Sequence, residues 1–177
     1  NDEFETLMKT HTYKKIEPSK NCLSSAMNVG HPSNLARLIE LFDGNMDENG
    51  VIHKEPNYKE MDKIFVAQSV SDEQTRKTIR QAWAQYHIVL EPHGAVGWKC
   101  VEDFIAKEKP SAEQLLISLE TAHPAKFPQA IIDTIGVDPE LPDSLKEIES
   151  KEEHYDSIDG NYPTFKEYLD KRYGWRK

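Results

Sequence analysis

Cysteine is scarce: Cys22 and Cys100 stand far apart and in no CxxC spacing. A disulfide framework is excluded, and both thiols are expected to be reduced, intracellular and buried. No apolar run approaches the ~18 residues of a membrane span, and no signal-peptide pattern opens the chain. Basic charge is also short, with 22 Lys and Arg against 31 Asp and Glu, a net charge of −9 and no basic stripe. Nucleic acid and anionic membrane are therefore excluded as partners. The eight glycines are scattered and form no phosphate-cradling loop. GxSxG, HExxH and P-loop motifs are missing. The seven histidines show no metal-ligand spacing, so no metal is expected. Lone ones such as His11 and His154 are expected at the surface.

What is there is a globular balance, 37% apolar and 30% charged, enough for one core. Leu35, Leu38, Ile39 and Phe42 fall at i, i+3, i+4 and i+7, which predicts a helix with one apolar face. Ile79, Ala82, Trp83 and Tyr86 repeat that spacing after Ser71-Asp-Glu-Gln74, a capping-box pattern. Phe165, Tyr168 and Leu169 predict a third helix, started by Pro163 and Thr164. All three stripes are expected to be core faces. A helix from Pro92 to about Lys107 carries Val96, Trp98, Val101, Phe104 and Ile105 on more than one side, which predicts burial between layers. Asn1 and Asp2 run straight into EFETLMK, so the first residues are expected to lie inside an element of a longer protein.

Two segments read as buried strands. HIVL, from His87 to Leu90, is followed by Glu91, Pro92 and a helix; LLISLE, from Leu115 to Glu120, is followed by Thr121 and then Pro124 and a helix. Two strand–polar–Pro–helix units suggest a helix-rich α/β architecture whose strand ends line one crevice, where open α/β sheets bind ligands. By pattern alone Thr121 is more simply a cap or turn residue. His93 and His123 stand at the same junctions, with ring packing at a helix start as the plainer role. The acidic, turn-rich stretch from Asp138 to Tyr162 reads as a connector, which divides the chain into 1–137 and 138–177. Asn45 to Ile52 copies the first eight positions of a calcium-binding EF-hand loop, but position twelve is Pro56, with Glu55 one residue short. A non-catalytic helical binding module with a degenerate calcium or partner loop at 45–55 is therefore the alternative reading.

The blocks NDEFETLMKTHTY, SSAMNVGHPSNLARL, SVSDEQTRKTI, HIVLEPHGAVG and SLETAHPAKFPQAI, in that order, resemble the threonine synthase family. The resemblance covers most of the chain and loosens over the last forty residues or so. It implies the carboxy-terminal part of a pyridoxal-phosphate-dependent fold type II enzyme, related to the tryptophan synthase β subunit. Such an enzyme, working in the cytoplasm, converts O-phosphohomoserine and water to threonine and phosphate. In the family a lysine holds the cofactor, and the threonine of the TAHPAKF block lies beside its pyridine nitrogen.

That threonine is Thr121 here, so the resemblance turns its reading from cap to cofactor ligand. Glu91 and His93 are expected to line the same crevice, while Ser33, Asn34 and Arg37 read as helix start and packing. The family's anchoring lysine and phosphate loop lie upstream, and neither motif has a match in these residues. No lysine, Lys126 included, takes that role; no catalytic residue is assigned. The chain alone is expected to be inert, to need the missing amino-terminal part of the same enzyme, and to expose an apolar face where that part docks.

Overall fold

The computed structural model of the chain describes residues 2–25 and 28–174. Asn1, and Ala26 and Met27 within the second quoted block, lie outside them. Two compact units divide at Glu140 and Leu141.

In the first unit, α1 (Glu3–Thr10), α2 (Leu35–Leu41) and α3 (Tyr58–Ile64) surround a hairpin of β1 (Asn45–Met46) and β2 (Ile52–Lys54). The two strands are antiparallel, with Asn45 opposite Lys54 and Met46 opposite Ile52 across an irregular register. One buried cluster joins these elements: Leu7, Leu35, Ile39, Met46 and Met61. Leu35 and Ile39 come from the predicted stripe of α2, so that face is core as expected. Asn34 starts the helix without a side-chain cap, and Arg37 is exposed rather than packed.

A second cluster, Ile79, Ala82, Leu90, Ala95 and Ile131, holds α4 (Asp72–Tyr86), α5 (Pro92–Glu108) and α6 (Pro128–Ile135) together. The start of α4 is set by the capping box read from the sequence. Gln74 N–H donates to Ser71 Oγ at 3.2 Å, and Ser71 N–H donates to Gln74 Oε1 at 2.9 Å. Fully burying an Ile of this face contributes about 1.5–3 kcal/mol. α5 begins at Pro92, whose missing N–H is no loss in a first turn. Only its start (Pro92, Gly94, Ala95) is buried. Val101 and Phe104 are half-covered and Ile105 is 45% exposed, so the expected burial between layers does not hold. Cys22 and Cys100 are free and only half-buried.

Neither predicted strand is a strand. His87 closes α4 in the left-handed conformation, and 88–90 are irregular. Residues 115–120 are likewise irregular and, among the described residues, unpaired with any strand. Leu115, Ile117 and Leu119 are 80%, 68% and 74% exposed, while Leu116 and Ser118 are half-buried. Alternation survives, and the sheet that would use it is not formed by these residues. Among the described residues the one sheet is the hairpin, in the stretch that mimicked a calcium loop.

The second unit contains two 3₁₀ turns, Asp143–Leu145 and Ile148–Ser150, and α7 (Tyr162–Tyr173). Asn161 caps α7 through Thr164 N–H at 3.0 Å. Its predicted stripe is not core: Phe165 is 47% and Leu169 37% exposed. Tyr168 instead donates its hydroxyl to Asp156 at 2.6 Å, and Arg172 pairs with the same carboxylate.

Candidate functional site

The amino terminus of α5 gathers most of the residues singled out in the sequence. Glu91 is the N-cap, and its side chain is completely buried. Its Oε1 accepts Gly94 N–H at 2.7 Å, and its Oε2 accepts His93 N–H at 2.8 Å. His93 Nδ1 lies 2.7 Å from that same Oε2. A carboxylate oxygen only accepts, so Nδ1 carries the proton. A buried carboxylate is tolerable because three donors and the positive end of the helix face it.

Three of the accepting positions of Glu91 are used in capping α5 and orienting His93, a structural role beside the crevice-lining one expected from the resemblance. His93 is oriented by Glu91, and its ring lies 5.2 Å from that of Phe127 at 55°. His123 caps the 3₁₀ turn Pro124–Lys126 by accepting Ala125 N–H on Nδ1 at 3.2 Å. Lys126 sits 6.0 Å from the Phe127 ring centroid.

Thr121 follows at the end of the extended segment. Its side chain is exposed, and among the described residues its hydroxyl has no hydrogen-bond partner. The caps beside it are Glu91 and His123, so the structural role that pattern alone favoured for Thr121 is taken by others.

Glu120 is the residue that sequence reasoning passed over. Its Oε1 accepts the backbone N–H of Glu91 at 3.2 Å, and its carboxylate lies over the open face of Gly94. Desolvation raises its pKa above the usual carboxylate range, helped by the Glu91 carboxylate; the Glu91 N–H and His93 pull the other way. No local signal marked it, because the backbone donor it accepts from belongs to a residue 29 positions earlier.

The calcium reading fails on geometry. Asp47 Oδ1 accepts Asn49 N–H and Val51 N–H, each at 2.9 Å, and Oδ2 pairs with His53 Nε2 at 2.9 Å. The carboxylate at the third position of the calcium-loop pattern is consumed in closing a hairpin. Among the described residues no group of three His, Cys, Asp or Glu could hold a metal. No helix among them is long and apolar enough to cross a membrane.

A pyridoxal phosphate would meet one edge of a site here, a neutral hydroxyl at Thr121 without a partner among the described residues. No lysine is aimed at that hydroxyl, and no glycine loop cradles a phosphate among the described residues. These residues fit the cofactor's ring edge and leave its other contacts to other chain.

The family model described as Threonine synthase, C-terminal, matches residues 94–169. The threonine synthase of Pseudomonas aeruginosa is 30% identical over 168 residues, 86% of this chain and 34% of that protein. The Saccharomyces cerevisiae threonine synthase is 30% identical over 161 residues, 77% of this chain and 31% of that protein. The human threonine synthase-like 2 is 26% identical, covering 86% and 33%. The crystal structure of the yeast enzyme superposes with TM-score 0.70 at 26% identity, over 85% of this chain and 36% of that one. A threonine synthase from Brucella melitensis, solved with PLP bound, shares the fold with TM-score 0.68 at 24% identity, over 86% and 34%. The chain thus spans about a third of the length of the relatives it matches. What the chain is similar to is the carboxy-terminal part of the threonine synthases.

Proposed function

We propose that this chain acts as the carboxy-terminal part of a pyridoxal-phosphate-dependent threonine synthase of the cytoplasm, which turns O-phosphohomoserine and water into threonine and phosphate. Residues 1–137 belong to the cofactor-binding domain on this reading, and 138–177 form a connector and terminal helix. The amino-terminal part of the same enzyme supplies the anchoring lysine and the phosphate cradle. When bound, pyridoxal phosphate supplies the electron sink that makes proton removal beside the substrate amine possible.

The contribution of this chain is Thr121. A neutral hydroxyl beside the pyridine nitrogen donates or accepts one hydrogen bond and holds no proton there, unlike a carboxylate. It therefore limits how strongly the ring withdraws electrons. One observation carries the assignment: the Thr121 hydroxyl is exposed and unpartnered, although the neighbouring helix starts have their caps. The apolar, unpaired face of Leu115, Ile117 and Leu119 supports the same reading, since it suits a strand of a sheet that other residues complete.

The test is Thr121→Val in the complete enzyme. A lost neutral hydrogen bond costs about 0.5–1.5 kcal/mol, so cofactor affinity falls modestly. kcat falls further, by about tenfold or more, because the bond tunes charge that develops only along the reaction path. Unchanged kcat with lowered thermal stability would return Thr121 to a structural role. The chain alone should release no phosphate from O-phosphohomoserine, and release by the purified chain would refute the division of labour.

A further inference from the structure

We propose that Glu120 is a positioning residue, whose carboxylate latches the extended segment to the start of α5 in the one register that presents Thr121. The inference rests on the reading of Thr121 above and extends it to how that hydroxyl is placed.

The segment has little else to hold it. Among the described residues, 115–119 make no hydrogen bond through backbone or side chain, and Ser118 Oγ is buried without a partner. The single polar tie is Glu120 Oε1 accepting Glu91 N–H at 3.2 Å. Its anchor is rigid, since Glu91 is fully buried and fixed by His93 and Gly94.

The track under the segment is made of glycine. A Cβ at Gly97 would stand 2.9 Å from Ser118 Oγ, and one at Gly94 would run into the Glu120 carboxylate. Gly94 and Gly97 are three apart on α5 and share a face. Ser118 and Glu120 are two apart on an extended chain and also share a face. The two periods meet with Ser118 over Gly97 and Glu120 over Gly94.

Period-two alternation then puts Leu115, Ile117, Leu119 and Thr121 on the opposite face. The exposure of the three apolar side chains agrees. A slip of one residue would turn that whole face, Thr121 included, against α5. Only at Glu120 does the segment make a directional contact able to forbid that slip. The contact needs an accepting oxygen rather than a charge, and a second carboxylate beside Glu91 is electrostatically unwelcome.

The experiment uses the complete enzyme loaded with pyridoxal phosphate. It compares Glu120→Gln, Glu120→Ala, Gly94→Ala, Thr121→Val and the Glu120→Ala/Thr121→Val double variant. Turnover, KM, cofactor affinity and the visible absorption band of the bound cofactor are read for each. Glu120→Gln keeps the accepting oxygen and should hold turnover within about threefold of the parent. Glu120→Ala should lower kcat by about three- to tenfold, the worth of one net hydrogen bond, with a smaller change in KM. Its absorption band should shift as that of Thr121→Val does. The double variant should be no worse than Thr121→Val alone, the sign of two residues acting through one contact.

Gly94→Ala leaves Glu120 in the sequence and pushes its flexible end aside, at a position where alanine favours the helix. It should reproduce Glu120→Ala, and it carries the test if that variant does not fold. Parental turnover in Thr121→Val overturns the reading of Thr121, and the latch with it. Lowered turnover there, with parental turnover and spectrum in Glu120→Ala and Gly94→Ala, overturns the latch alone. Additive losses in the double variant do the same.

Discussion

The stretches Asn45–Lys54 and Leu115–Thr121 exchange the roles that their sequences suggest. The first carries the Asn, Asp and Gly pattern of an ion-binding loop, and it folds into the only sheet among the described residues. The second has the apolar alternation of a strand and finds no strand to pair with. What separates them is where their partners come from. Asp47 satisfies backbone donors at Asn49 and Val51, four residues away at most, and Gly50 takes the positive φ of 83° that the turn requires. A closed turn of this kind needs nothing beyond itself. The second stretch has its directional contact at one end, Glu120, and turns Leu115, Ile117 and Leu119 outward. It is a half-structure whose other half must be supplied.

The largest expected effect tests that dependence. Ile117→Asp in the complete enzyme should be severely destabilising, because a charge replaces an apolar side chain that the rest of the fold covers. The cost is several kcal/mol for an unpaired buried charge, read as loss of soluble, cofactor-bearing protein. In this chain on its own the same side chain is 68% exposed, so the change in stability should stay within about 0.5 kcal/mol. Equal effects in the two settings would break the comparison, since the segment would then owe nothing to outside chain.

The hairpin should behave in the reverse manner. Gly50→Ala forces a side chain into the left-handed region, at about 1–2 kcal/mol. Its Cβ would also stand 2.8 Å from Tyr13 Cε1 and 3.1 Å from the His31 ring. These two rings are joined by a 2.5 Å hydrogen bond between Tyr13 Oη and His31 Nδ1 and cannot move apart freely. The midpoint of urea unfolding should drop by a similar amount in the chain alone and in the complete enzyme. A loss confined to one setting would show that the turn is not self-contained.

The same division explains what could be read beforehand. Helix starts are local chemistry: Ser71 to Gln74, Glu91-Pro92 and Asn161 to Thr164 each complete a cap within a few residues, and α4, α5 and α7 begin there. Apolar periodicity is also local, and it located the faces of α2 and α4. Whether a face is covered is not local. Phe165 and Leu169 carry the same stripe as Leu35 and Ile39, yet only the latter pair is buried. Thr121 was singled out by resemblance alone, and the capping role of Glu91 was not foreseen because a carboxylate used as a cap looks identical, in sequence, to one offered to a ligand. Glu120 was missed for a related reason: its partner, Glu91 N–H, lies 29 residues away.

The smallest effects are those of pH, and they should carry opposite signs in the two stretches. Asp47 is held below the usual carboxylate range, first by Val51 N–H and then by His53. A depressed folded-state pKa means stability that is present above the unfolded value and lost as pH falls through the folded one. Asp47→Asn should therefore be less stable than the parent at neutral pH, and the difference should close on acidification. Glu120 is pushed above its usual range, chiefly by desolvation. A raised pKa means a contribution present below the unfolded value and lost as pH rises through the folded one, so the ionised side chain is the less favourable form. Glu120→Gln removes the charge and keeps the oxygen that accepts Glu91 N–H. It should be slightly more stable than the parent at neutral pH, with the advantage fading in acid. Thermal melts of the parent and both variants between about pH 3 and 8 give the two difference curves. The differences are small, because solvent screens exposed charges. Opposite slopes would tie the self-closing turn to a carboxylate that must be charged, and the open segment to one that need only accept a hydrogen bond. Slopes of the same sign would mean that Glu120 is held by its charge, and that the latch is an ion pair rather than a hydrogen bond.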